Sequence, residues 1–217
     1  MARTLLHVGC GARNPEKVPP PFRGAEWREI RLDIDPSVEP DVVASITAMP
    51  EVAADSIDAV VCAHSLEHLY AHEVPLALRE FRRVLRTSGV LLVVVPDLTE
   101  AAALIAKGLP EHVLYEAKAG PITAYDVVFG YTRAIARGAT QMAHRSGFVP
   151  RQLMRAMEAA GFGGKKWMLA RHNIWALGFR AGRRTTRRGC VPASDGRRSA
   201  VSSPRPRLAP SGGTALD

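Results

Sequence analysis

Cysteine is scarce, with three in 217 residues (Cys10, Cys62 and Cys190) and no Cys-x-x-Cys spacing. That excludes a disulfide-stapled scaffold and a cysteine-built zinc site, and no metal site is expected. Long apolar runs are missing too. No stretch approaches the ~20 residues that span a bilayer. The first residues run straight into a strand-like segment, without a basic stretch and signal-type apolar core. The expected location is therefore cytoplasmic. No internal repeat is visible. What is present is 47% hydrophobic residues, enough to fill one domain core in a chain of this length.

The charge is unevenly placed. Of a formal net +8, residues 181–217 carry +6, from eight arginines against Asp195 and Asp217. That segment is rich in Gly, Ser, Pro and Thr and is expected to be a disordered basic tail. Solvation is its plain reading, and weak contact with RNA or anionic surfaces the alternative. The remaining residues are close to balanced, so elsewhere a nucleic-acid partner is not expected.

Thr4-Leu5-Leu6-His7-Val8 is an apolar run too short for a helix, and it stops at Gly9-Cys10-Gly11. Glycine there permits positive φ and close approach of a ligand to the backbone. A second strand-like segment, Arg28 to Leu32, ends at Asp33-Ile34-Asp35-Pro36. An acid about 20 positions after a glycine turn is placed to accept from ribose hydroxyls. Asp33 is preferred for that role, and Asp35 reads as a local turn cap. Prolines 15, 19, 20 and 21 bar a regular helix after the glycine turn.

Further segments follow in order: Asp58-Ala59-Val60-Val61-Cys62-Ala63-His64-Ser65-Leu66-Glu67-His68-Leu69, the amphipathic run Val74 to Leu85, and Val90-Leu91-Leu92-Val93-Val94-Val95-Pro96-Asp97. In this order they resemble a class I S-adenosylmethionine-dependent methyltransferase, in a branch with Gly-Cys-Gly and Leu-Glu-His segments. The resemblance implies an α/β fold with a doubly wound, mostly parallel seven-stranded Rossmann-like sheet and an antiparallel last strand. It covers roughly residues 4–180, within a domain set at 1–180, with an insert at 108–149 over the acceptor site and the tail at 181–217. It implies S-adenosylmethionine as cofactor, held by Gly9, Cys10, Gly11, Asp33, Ile34, Ser45, Ile46 and His64. Ser45 stands where the family usually has Asp, and Ile46 is placed to cover an adenine face. His64, His68 and His144 are the candidates to take a proton from the acceptor, and the sequence does not choose among them. Glu67 and His68 have a structural reading as well: a buried Glu paired with an Arg, and a His capping the next helix.

Tyr125, Asp126, His144 and Arg145 in the insert are candidate substrate contacts. Gly89 is expected to stop the amphipathic helix, Thr99 to Lys107 and Pro150 to Ala160 to form helices, and Arg171-His172 to turn a final hairpin. The expected reaction is methyl transfer to a small-molecule or sugar-type acceptor. Two alternatives remain: a non-catalytic binding module on the same fold, and an NAD-dependent oxidoreductase. Against the second, Asn14 stands where the third glycine of a dinucleotide turn would be.

Overall fold

The computed structural model describes residues 2–180. The expected tail, 181–217, lies outside them. Seven strands form one sheet in the order β3-β2-β1-β4-β5-β9-β8. They are β1 (Arg3–Val8), β2 (Trp27–Asp33), β3 (Val42–Val43), β4 (Ile57–Ala63), β5 (Leu85–Pro96), β8 (Phe162–Ala170) and β9 (Asn173–Arg180). The first five pair in parallel, and β9 runs antiparallel to both β5 and β8. Central β4 and β5 read as apolar runs because both their faces are covered, as in parallel sheets generally. The final hairpin turns at Arg171 and His172, both with positive φ (51° and 61°), which matches a two-residue turn to the twist of its strands.

One sheet face is packed by α1 (Val74–Val84) and α5 (Pro150–Ala159). In α1, Val74, Ala77, Leu78, Phe81 and Val84 fall on one stripe at helical spacing, and all are buried. Leu153 and Met157, one turn apart on α5, complete that layer. Over the opposite face, at Leu5, Val61 and Leu92, lies the proline-rich segment after β1. It forms two single 3-10 turns, Pro15–Lys17 and Pro20–Phe22, and contributes Val18 and Phe22 where a full helix is barred.

Gly89 does not stop α1. The helix ends at Leu85, whose extended backbone (φ −65°, ψ 140°) begins β5 at once. Leu85 is fully buried and pairs with Ile57, and the register then jumps to Ala59 opposite Val90. Residues 86–89 are thus an excursion within the strand, and Ser88 takes the positive φ.

After β5 come α2 (Leu98–Ala106), a hairpin of β6 (Val113–Ala117) and β7 (Gly120–Thr123), α3 (Ala124–Phe129) and α4 (Thr132–Ala136). α2 and α3 share a small apolar cluster around Ala101, Ala124 and Val127. No helix among the described residues is long and apolar enough to cross a membrane.

Candidate active site

The sheet order sets β1 between β2 and β4, so the carboxyl ends of all three open on one edge. Ligands of open α/β sheets bind there. Gly9 and Gly11 both have positive φ, 61° and 57°. A Cβ on Gly9 would stand 2.1 Å from Ser65 Oγ, so the glycine lets the β1 turn lie against the β4 loop. Asp33 ties that turn to β2. Its Oδ2 accepts from the Gly11 amide (2.7 Å) and its Oδ1 from the Asp35 amide (3.0 Å). A carboxylate offers about four lone-pair positions, so the two amides orient it and leave acceptor capacity toward the crevice. Asp35 caps the following turn through Ser37, as its place before Pro36 suggested.

Side chains do the bracing that a helix would otherwise do. Arg31, only 3% exposed, donates to the carbonyls of Gly11 (2.6 Å), Glu39 (2.6 Å) and Val38 (3.1 Å). Lys17 Nζ caps Cys10 O (3.0 Å) and Ala12 O (3.2 Å). His7 Nδ1 lies 2.8 Å from Glu29 Oε1. Burial pushes the His7 imidazole below its ordinary pKa, and the Glu29 hydrogen bond opposes that without overcoming it. None of these braces was singled out in the sequence. A signal was there: Glu29, Arg31 and Asp33 alternate along β2 and so share one face.

At the end of β4, His64 has positive φ (53°) and its amide donates to Val94 O (2.8 Å), which holds it over β5. Its ring is about half exposed, with Nδ1 3.4 Å from Glu67 Oε1. The Leu66–His68 turn docks on the end of the insert, because Glu67 O accepts from the Arg145 (2.8 Å) and Ser146 (3.1 Å) amides. His68 Nδ1 meets Ala143 O at 3.1 Å and His144 Nδ1 meets Val127 O at 2.9 Å. The two rings stand edge to face, 5.1 Å apart. A ligand atom from each of Glu67, His68 and His144 lies within 4.8 Å of the others. Burial pulls the His144 pKa down, opposed by the nearby Glu67 carboxylate. From β6, Tyr115 stacks on His172 at 5.2 Å, and burial followed by the charges of Glu67 and Asp126 pushes its phenol up.

Residues 6–93 match the sequence model of a methyltransferase domain. That match spans less than half of the chain; S-adenosylmethionine is the cofactor that goes with such a domain. Solved structures of similar fold include a methyltransferase from Haloferax volcanii, in complex with the Trm112 methyltransferase activator. It is 12% identical, with a TM-score of 0.55 over 83% of this chain and 84% of that one. A SAM-dependent methyltransferase from Archaeoglobus fulgidus is 14% identical, with a TM-score of 0.52 over 82% and 86%. One from Methanosarcina mazei is 13% identical, with a TM-score of 0.54 over 83% and 93%. At these identities the likeness is one of fold. No curated protein matches this chain by sequence.

The crevice presents Asp33, oriented by two amides, beside the glycine turn, where Ser65 fills the space a Cβ would take at Gly9 and Lys17 Nζ the space at Gly11. The adenine end differs from expectation. Ile46 is 9% exposed and belongs to the main core, whereas Ile34, beside Asp33, is 68% exposed. Ile34 is thus the open apolar surface beside Asp33. Ser45 accepts from the Thr47 amide (3.2 Å) and shares a hydrogen bond with the Thr47 hydroxyl (2.8 Å), so it serves its own turn. Cys10 is buried, with its amide donating to Leu32 O and its carbonyl accepting from Lys17 Nζ.

Three further expectations are corrected. No arginine pairs with Glu67 among the described residues: Arg145 lies over the Tyr70 ring instead. His68 caps no helix but bridges to the insert. Asp126 is not free to meet a substrate, since its carboxylate accepts from the amides and hydroxyls of both Thr123 and Thr132. Tyr125, by contrast, is 46% exposed.

Proposed function

We propose that this protein transfers a methyl group from S-adenosylmethionine to a small-molecule acceptor, sugar-type acceptors included. The observation that carries the reading is Asp33, oriented by two backbone amides beside a positive-φ glycine turn. The cofactor brings a sulfonium methyl whose displacement leaves a neutral thioether, so the leaving group needs no acid. The chain's tasks are alignment, exclusion of water and acceptance of one proton from a hydroxyl or amine acceptor. Asp33 holds the ribose, the glycine turn supplies close backbone, and His64 lines the methionine end from its perch over β5. His64, His68 and His144 are the groups within reach of an acceptor proton. The unpaired thiols of Cys10 and Cys62 suit a reducing, cytoplasmic setting. Contact with nucleic acid, if the tail makes any, would be weak and salt-dependent.

The test is calorimetric titration of the full chain with S-adenosylmethionine, S-adenosylhomocysteine and NAD. Binding of the first two is expected, with a loss of roughly 10- to 100-fold in Asp33→Ala, the size of a charge-assisted hydrogen bond. NAD binding would favour an oxidoreductase, against which the lack of a regular helix at the glycine turn argues. A folded protein that binds none of the three would be a binding module on the methyltransferase fold. The occupied Ser45 hydroxyl is the observation on that side.

A further inference from the structure

Glu67 is 1% exposed, yet neither carboxylate oxygen finds a hydrogen-bond donor among the described residues. The nearby His64 Nδ1, 3.4 Å away, makes no hydrogen bond to it. A buried carboxyl group without a hydrogen-bond partner is unfavourable, and a cation beside it relieves that. The backbone offers the side chain no escape, because Glu67 O and Leu66 O are both tied to the insert, the latter by Ser146 Oγ at 3.3 Å.

Besides His64, two imidazoles whose tautomers are set gather at this carboxylate. His68 Nδ1 and His144 Nδ1 each sit against a carbonyl oxygen, which can only accept, so each Nδ1 carries its hydrogen. Each Nε2 then bears a lone pair. Imidazoles anchored through one nitrogen to a carbonyl, with the other left basic, are the usual metal-ligating arrangement. The residues come from two distant places, the turn after β4 and the end of the insert, and their ligand atoms gather within 4.8 Å.

We propose that Glu67, His68 and His144 bind a divalent first-row transition-metal ion, with at least one coordination position open to water or an acceptor oxygen. Two imidazoles and one carboxylate suit Zn²⁺, Co²⁺ or a similar ion, and three protein ligands with an open place is the catalytic rather than the structural pattern. An all-oxygen ion such as Mg²⁺ fits the donors less well. The ion's use rests on the methyltransferase reading; its binding does not. With His68 and His144 holding the ion, His64 would be the histidine left to take the proton of an acceptor hydroxyl, which the ion would make more acidic. The oxygen–methyl bond then forms as the methyl–sulfur bond breaks, with the electron pair staying on sulfur. The acceptor class this favours is a hydroxylated small molecule.

The experiment is titration of the chelator-treated full chain with Co²⁺ in the absence of any cofactor, read by visible d–d absorption, with Zn²⁺ as competitor. One Co²⁺ per chain is expected, displaced by Zn²⁺. Affinity should fall by roughly 100-fold or more in Glu67→Gln and His144→Ala and be kept in His112→Ala, whose ring is exposed elsewhere in the insert. Circular dichroism confirms folding. If His144→Ala does not fold, the near-isosteric Glu67→Gln decides. A folded wild type that binds no Co²⁺ overturns the proposal, as does binding undiminished in Glu67→Gln. Cofactor binding without metal binding overturns it alone, and metal binding without cofactor binding leaves it standing while the methyl-transfer reading falls.

Discussion

At Gly9 a single hydrogen atom keeps two strand ends together. An added Cβ would meet both Oγ and Cβ of Ser65, at 2.1 and 2.8 Å, so shortening Ser65 to Ala gives no relief. With the positive φ added, Gly9→Ala is expected to cost about 1–3 kcal/mol and to abolish S-adenosylhomocysteine binding. Thermal melts and titration check the two effects separately. Asp126→Ala is expected to cost about 1–2 kcal/mol by breaking the capping box with Thr123 and the hydrogen bonds from Thr132 and to make the insert sensitive to limited proteolysis. An insert that stays resistant would show the cap to be redundant. Asp33 was legible because it ends an alternating run at a known distance from a glycine turn. Thr123-x-x-Asp126 carries a capping-box spacing, and that local signal outranks a substrate role for Asp126. The brace from Arg31 to Gly11 was hidden, because its partner is a backbone carbonyl 20 residues away, met only through the β1–β2 register.

Among the elements, α1 was the easiest to read, since its stripe repeats at helical spacing and needs no partner to be recognised. Phe81→Ala, at the centre of that stripe and fully buried, is expected to cost about 3–5 kcal/mol in denaturant unfolding. The far end of α1 was misread because Gly89 is a local stop signal, while Leu85 leaves the helix for a tertiary reason, its pairing with Ile57. The same helix clamps the loop after β3. Glu80 accepts from Arg83 Nε (2.7 Å) and the Met49 amide (2.9 Å), and Arg83 donates on to Met49 O (2.7 Å) and Val52 O (2.9 Å). The Arg83 hydrogen bond holds the Glu80 carboxyl below its ordinary 4.5, with burial opposing and the Met49 amide helping. A lowered carboxylate pKa means the unfolded chain binds the proton more tightly. The clamp's stability is therefore present above pH 4.5 and is lost as pH falls through the folded value. Glu80→Gln is expected to flatten the fall of Tm in that acid range. A slope equal to wild type would show that the clamp does not contribute.

For the molecule as a whole, charge is divided between a nearly balanced domain and an arginine-rich terminal segment. Removing residues 181–217 is expected to shift elution from heparin to much lower salt while leaving cofactor affinity unchanged. Retention that survives truncation would place the basic surface on the domain. By itself the sequence determined the class of fold, the near-absence of a first helix, the main amphipathic helix, the final hairpin and the acid at the end of β2. The class of fold came with the family resemblance; the others follow from periodicity, glycine and proline, which act on the chain locally. Only the tertiary structure decided that Ile46 goes into the core while Ile34 stays open, that Ser45 serves its own turn, and that Glu67, His68 and His144 converge. Convergence depends on the register of strands and the docking of an insert some 75 residues along the chain. No local pattern encodes either, because both are set by which buried faces fit together.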